Sequence, residues 1–176
     1  LLSLPERSKD GRPCVVLDPF GLVPGLPELV WDPIAGCVDR MVSERRAKAF
    51  TAGTIPGTSH GSGDAAARFY AAEAAKVLMA YFHAAALTGK TLDDLLAWVA
   101  KPLSTSQPEE ILRRHPQSDP LWAGLLQGAL RGDERTSANT ITTVQQAMSL
   151  FFQDDIRRRC VPSERRPATN VAEELR

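Results

Sequence analysis

The sequence has no surplus of either charge: 21 Lys and Arg stand against 21 Asp and Glu, for a formal net charge of +0. That removes any global drive toward nucleic acid or an anionic membrane, and leaves such binding to a local patch or to the rest of a larger protein. Cysteine is sparse: Cys14, Cys37 and Cys160 lie far apart, with no Cys-x-x-Cys. Such a set argues against a disulfide framework and suits a reducing cytosol. The histidines His60, His83 and His115 have no metal-ligand spacing with one another or with a cysteine, so no metal ligand is expected. No apolar run approaches the roughly 20 residues that cross a bilayer, and nothing resembles a signal peptide. The segment is therefore expected to make no membrane contact.

What is present is a foldable chain. Its 176 residues suit one domain, or one and a part, and 43% of them are apolar, enough for a real core. Residue 1 is Leu, and Asn170 to Arg176 reads as a helix cut short, so both ends are expected to be those of a fragment.

Residues 13–18, Pro-Cys-Val-Val-Leu-Asp, form the best strand: a short apolar run ending on Asp-Pro, as in a strand buried on both faces. Its partners are expected outside this chain. Pro19, Gly21, Pro24, Gly25 and Pro27 then mark a turn region, and Leu29-Val30-Trp31 reads as a second short extended piece. Beyond this the pattern is helical. Asp39 is placed to cap a helix reaching about Ala52. A Gly/Ser/Thr loop spans 53–63. The strongest helix then runs from Gly63 or Asp64 to Gly89, with Tyr70, Ala74, Val77, Leu78, Tyr81 and Ala85 at helical spacing and a narrow polar stripe of Glu73, Lys76 and His83. Gly89 fits a helix stop, and Thr91 with Asp94 a capping box for Leu92–Ala100. Shorter helices are expected at Gln107–His115 and Pro120–Leu130. A longer one, Thr136–Phe152, carries the stripe Ile141, Val144, Met148, Phe151 and an uncharged polar face of Thr140, Thr143, Gln146 and Ser149.

Two strings match known motifs out of context. Ala84-Ala-Ala-Leu-Thr-Gly-Lys-Thr91 fits a loose phosphate-loop pattern, but it follows about five turns of helix where the chemistry needs a strand. Gly57-Thr-Ser-His-Gly61 fits a hydrolase nucleophile elbow around Ser59, with His83 or His115 as base, but lacks the strand before it. The carboxylate pairs Asp93-Asp94, Glu109-Glu110, Asp154-Asp155 and Glu173-Glu174 are sequence neighbours, which do not face each other on a helix. No catalytic or cofactor-binding residue is assigned. Arg157, Arg158 and Arg159, with Arg165 and Arg166 behind, are the one basic cluster and the candidate nucleic-acid contact.

The order of several elements is informative. Val15-Val16-Leu17-Asp18-Pro19-Phe20-Gly21, then Trp31-Asp32-Pro33-Ile34, then Gly36-Cys37-Val38-Asp39, resembles TraG/TraD-type coupling proteins of conjugation and type IV secretion, the actinobacterial ones especially. The later stretches Phe69–Leu87, Thr91–Trp98 and Ser137–Ile156 continue the likeness over most of the chain. Phe20 stands where that family often has Lys or Gln.

The resemblance implies a mainly α chain: a partial RecA-like α/β motor edge at 1–60, an all-α domain at 61–135, and a helical return toward the motor core at 136–176. It implies a parent ATPase that moves single-stranded DNA and its relaxase toward a secretion channel, as a homo-hexamer anchored in the inner membrane with this segment on the cytoplasmic face. ATP and Mg would be bound by the parent. Its phosphate loop is expected upstream of Leu1 and its second acidic motif downstream of Arg176, so the segment holds no cofactor and is not expected to be active alone. Its partners would be the rest of the same chain and DNA or relaxase. Two other readings stay open: a stand-alone helical protein-binding module, and a small serine hydrolase using Ser59.

Overall fold

The computed structural model describes residues 15–18, 20–22, 25, 27–55, 62–164 and 167–169. Among the described residues the molecule is mainly helical, at 63% helix, with no strand. Its helices are α1 (Arg40–Ala52), α2 (Ser62–Leu87), α3 (Leu92–Ala100), α4 (Gln107–Arg114), α5 (Leu121–Arg131), α6 (Glu134–Ala147) and α7 (Asp154–Cys160), with a 3-10 turn at Ser149–Phe152.

Local chemistry sets most of the boundaries. The Asp39 carboxylate accepts from the Met41 amide at 2.7 Å and opens α1. Helix α2 ends in the left-handed turn expected of Gly89, at φ +62. The Lys90 amide reaches back to the Ala85 carbonyl at 2.9 Å, a bond that closes a helix only when the residue before it takes that turn. The Thr91 hydroxyl and the Asp94 carboxylate then cap each other's amides at the start of α3. Asp133 accepts from the Thr136 amide at 2.9 Å and starts α6 two residues earlier than the apolar stripe suggests. Glu109 and Glu110 occupy the first turn of α4 and Arg113 and Arg114 its last, each sign at the dipole end that favours it.

The chain forms two compact units: Pro33–Phe152, and a discontinuous one made of Leu1–Asp32 with Gln153–Arg176. The first is a helical assembly around α2, which packs against α1, α3, α4, α5 and α6. Ala74, Val77, Leu78, Tyr81, Phe82, Ala84 and Ala85 are buried on nearly every side of it. A helix apolar almost all round belongs at the centre of a core. Phe82 meets Phe50 of α1 at 5.6 Å between ring centres, and Phe50 meets Phe151 at 6.0 Å. Leu95, Leu112, Leu126, Val144 and Met148 bring the other helices to the same core.

Three expectations for this unit are corrected. His83 is fully buried rather than part of a polar stripe, because α2 is enclosed on that side too. Thr140, placed on the uncharged polar face of its helix, is also fully buried. The single helix expected to Phe152 ends at Ala147, where Met148 leaves helical geometry at φ −100, ψ 2 and tightens the chain into the 3-10 turn.

In the discontinuous unit, the described part of the expected strand reduces to one isolated parallel bridge, Val16 with Glu28. The Val16 amide donates to the Pro27 carbonyl at 2.9 Å, and Leu29 donates to the Val16 carbonyl at 2.7 Å. Within the chain Val16 thus makes this one bridge, beside the Leu29-Val30-Trp31 piece. Thr169 pairs with Val30 on its other side, donating its amide to the Val30 carbonyl at 2.8 Å. Residues 13 and 14, the loop from 56 to 61, and the helix expected at 170–176 lie outside the described residues.

Candidate functional site

The candidate arginines lie on α7. Arg157 and Arg158 both pair with Asp154, at 2.7 and 2.5 Å, and Arg159 pairs with Glu28 at 2.8 Å. Arg158 and Arg159 border an open cleft of about 740 Å³ with Phe20, Glu28, Asp155 and Ile156. Two carboxylates therefore face two guanidiniums, and the cleft is polar without being strongly positive. Gly21 belongs to the same arrangement: at φ +68, a Cβ there would meet the Arg159 guanidinium at 2.7 Å, so glycine both permits the turn and leaves room for the Arg159–Glu28 pair.

The motif-like strings separate from chemistry. In Ala84–Thr91 the amides of Thr88 and Lys90 donate to the Ala85 carbonyl, and that of Thr91 donates to the Asp94 carboxylate. Those N–H groups are committed, so the string does not fit a nucleotide's phosphates. Ser59 lies outside the described residues. His83 is closed to a substrate by complete burial, and His115, at the end of α4, accepts from the Gln117 amide through Nδ1 at 3.3 Å. The paired acids take different partners: Asp94 caps α3, Glu109 pairs with Arg131 at 3.3 Å, and Glu110 accepts from Ser106 at 2.8 Å. Glu173 and Glu174 are outside the described residues. No group of three His, Cys, Asp or Glu side chains placed to hold a metal occurs among the described residues, and no helix there is long and apolar enough to cross a membrane.

Two buried polar centres were not anticipated. Around His83, Nδ1 lies 2.8 Å from the Cys37 carbonyl oxygen, the ring packs on Trp122 at 5.0 Å, and Nε2 has no partner among the described residues. Burial lowers its pKa, the bond to Cys37 opposes that, and Arg40 and His115 lower it further. Around Tyr81, the ring meets Trp98 edge-on at 5.7 Å, the hydroxyl is buried without a hydrogen-bond partner among the described residues, and burial together with Glu109 holds its pKa far above the ordinary value. No substrate-sized opening reaches either centre among the cavities described.

The feature best shaped for a ligand is a groove of about 460 Å³ between α1 and α2. Helix α1 and the residues after it contribute Glu44, Lys48, Thr51, Ala52 and Ile55; α2 contributes Arg68, Ala71, Ala72, Ala75, Lys76 and Met79. Both sets recur at intervals of three and four, so each is one helical face. The helical spacing of Tyr70, Ala74, Val77, Leu78, Tyr81 and Ala85 does not distinguish which flank of α2 stays uncovered. The available signal was the run of alanines flanked by Arg68 and Lys76.

No family model, no curated protein and no solved structure matches the chain.

Proposed function

We propose that the chain is a segment of a conjugative DNA-transfer coupling ATPase, and that its helical unit engages DNA or relaxosome proteins for export through a type IV secretion system. The observation that supports this most is the discontinuity of the second unit, assembled from Leu1–Asp32 and Gln153–Arg176 around the intervening Pro33–Phe152. Such an order is what an all-α domain inserted into another domain produces. Two details agree with a RecA-like motor edge. The Val16–Glu28 bridge is parallel, the pairing of α/β motors. Leu17, Phe20 and Leu22 are 60, 62 and 73% exposed, a run of apolar side chains that further strands of a larger sheet would cover. In this reading ATP and Mg are held by the parent hexamer, outside the segment, and the segment faces the cytosol.

The test is the longer reading frame. A strand, a Gly-x-x-x-x-Gly-Lys-Ser/Thr loop and a helix are expected within a few tens of residues before Leu1, and their absence sinks the reading. A second reading, a stand-alone helical binding module, is favoured by the closed core of the helical unit, where Leu78, Tyr81, Phe82, Leu95, Leu112 and Leu126 are each less than 2% exposed. It expects one sharp, cooperative melt of the 176-residue chain. The motor reading expects an early, separate loss of the discontinuous unit.

A further inference from the structure

We infer that His83 is a proton-operated latch: when Nε2 takes a proton from solvent, residues 33–39 and the N-terminal half of α1 come off α2 while the C-terminal half of α1 stays docked. The inference stands on the helical unit alone and does not require the chain to belong to a motor.

The two halves of α1 are held by different chemistry. At its start, the Cys37 carbonyl oxygen lies 2.8 Å from His83 Nδ1 and also accepts from Ser43 Oγ at 2.7 Å. The Arg46 guanidinium donates to the Pro33 and Ala35 carbonyls at 2.7 and 2.5 Å. Ser43 and Arg46 both belong to α1, so they staple the preceding turn to it. The His83–Cys37 bond then ties this stapled piece to α2. At the other end, Phe50 packs on Phe82 and Phe151, at 5.6 and 6.0 Å between ring centres. Aromatic packing has no proton to gain, so acid acts on the first half and spares the second.

With Nδ1 bonded to a carbonyl, a further proton enters only at Nε2, which is buried with no hydrogen-bond partner among the described residues. The surroundings do not accommodate the charge that results. Arg40 of α1 and His115 after α4 both oppose it, as does burial. Asp39 accepts from the Met41 amide, and Asp119 from the Leu121 amide and from Arg40 at 3.4 Å. Helix α2 has no charged side chain from Val77 to Leu87, α5 none from Leu121 to Leu130, and α6 none from Thr136 to Ala147. The acids of α3, Asp93 and Asp94, stand in its first turn, where Asp94 caps Thr91. In α4, Glu109 pairs with Arg131, Glu110 accepts from Ser106, and Arg113 and Arg114 add positive charge to the last turn. The Trp122 ring, 5.0 Å away, offers an imidazolium cation–π attraction but no oxygen for Nε2–H. A buried charge without a partner is costly, and water relieves it. Release of the stapled piece admits water while Ser43 and Arg46 keep that piece's own hydrogen bonds.

The experiment uses the full 176-residue chain carrying Cys14→Ser and Cys160→Ser, so that the fully buried Cys37 reports on the latch. Labelling by N-ethylmaleimide is followed by mass, and each rate is divided by that of N-acetylcysteine at the same pH. The normalised rate should rise by up to about tenfold per pH unit as pH falls below about 6.5, then level off beneath the folded-state pKa of His83. In folded His83→Asn the rise should vanish. At acid pH the rate should respond only weakly to low urea, because a local opening exposes little surface. Ring-nitrogen NMR of the parent needs no variant: His83 should carry its proton on Nδ1 at neutral pH and titrate below the ordinary histidine value. A normalised rate flat with pH, or a rise that survives in folded His83→Asn, overturns the inference. So does acid labelling with the full urea dependence of global unfolding, which makes the proton a denaturant of the whole unit and not a latch. A His83 that titrates at or above the ordinary value overturns it equally.

Discussion

His83 Nδ1 donates to the carbonyl oxygen of Cys37 across 2.8 Å, tying the C-terminal part of α2 to the turn that precedes α1. A carbonyl only accepts, so the proton of the neutral ring is on Nδ1 and any further proton must enter at Nε2. That atom is buried without a hydrogen-bond partner among the described residues.

Acidification should therefore weaken the fold before any carboxylate titrates. Burial first, then Arg40 and His115, lower the pKa of His83 below its unfolded value, with the Cys37 bond opposing. The unfolded chain then binds the proton more readily, and stability falls as pH falls. The loss begins near the ordinary histidine value of about 6.5 and levels off below the lowered folded value. Melting temperature should decline as pH falls through and below about 6.5. In His83→Asn, which keeps a donor for Cys37 and takes up no proton, that slope should flatten even if the melt is lower throughout. Asp94 and Asp133, whose pKa values are also lowered, contribute only at more acidic pH.

The Thr91–Asp94 box offers a cleaner stability test. Thr91→Ala removes the hydroxyl that accepts from the Asp94 amide at 3.3 Å and should cost about 1 kcal/mol in urea unfolding. Thr91→Ser should restore most of it. An unchanged midpoint in Thr91→Ala would mean that packing of Leu92 and Leu95 alone positions α3.

Arg131 and Glu109 join α5 to α4 with unequal exposure. The Glu109 residue is 6% exposed and buried beside Tyr81, whereas the Arg131 side chain is 39% exposed. Arg131→Ala leaves a carboxylate in the core and should destabilise by about 2 kcal/mol, less than the roughly 3–5 kcal/mol of a fully buried pair. Glu109→Gln in the same background should recover part of that loss. Chemical denaturation of the single and double variants measures the coupling.

Asp154 serves both Arg157 and Arg158. If α7 contacts a phosphate backbone, Asp154→Asn should tighten binding to a single-stranded oligonucleotide and steepen its salt dependence by about 0.7 per additional phosphate contact. Anisotropy titrations over a salt series read this directly, and an unchanged slope removes α7 from the interface.

The parts legible in the sequence were those decided by near neighbours. Thr91, Asp94 and Gly89 marked a stop and a start because capping is chemistry within four residues. Val144, Met148 and Phe151 marked a buried stripe because its period lies within one stretch. His83 and Thr140 misled because each sits at a polar-looking position of its own helix, and enclosure by helices distant in sequence is what buries them. The pairing of Val16 with Pro27 and Leu29 was hidden for another reason: three prolines and two glycines intervene, and a turn region predicts no register. The groove between α1 and α2 was invisible because alanine satisfies a core and an open floor equally well.

The split into a contiguous and a discontinuous unit also fixes an order of events during synthesis. Pro33–Phe152 has every residue it needs once Phe152 has left the ribosome, whereas the other unit must wait for Gln153–Arg176. Until then Val16 and its neighbours emerge without Thr169 to complete their pairing. Closing a flexible loop of that length is entropically costly. The longest of these loops, from Val30 to Thr169, therefore belongs to the discontinuous unit, whose closure spans more of the chain than any contact within Pro33–Phe152 requires.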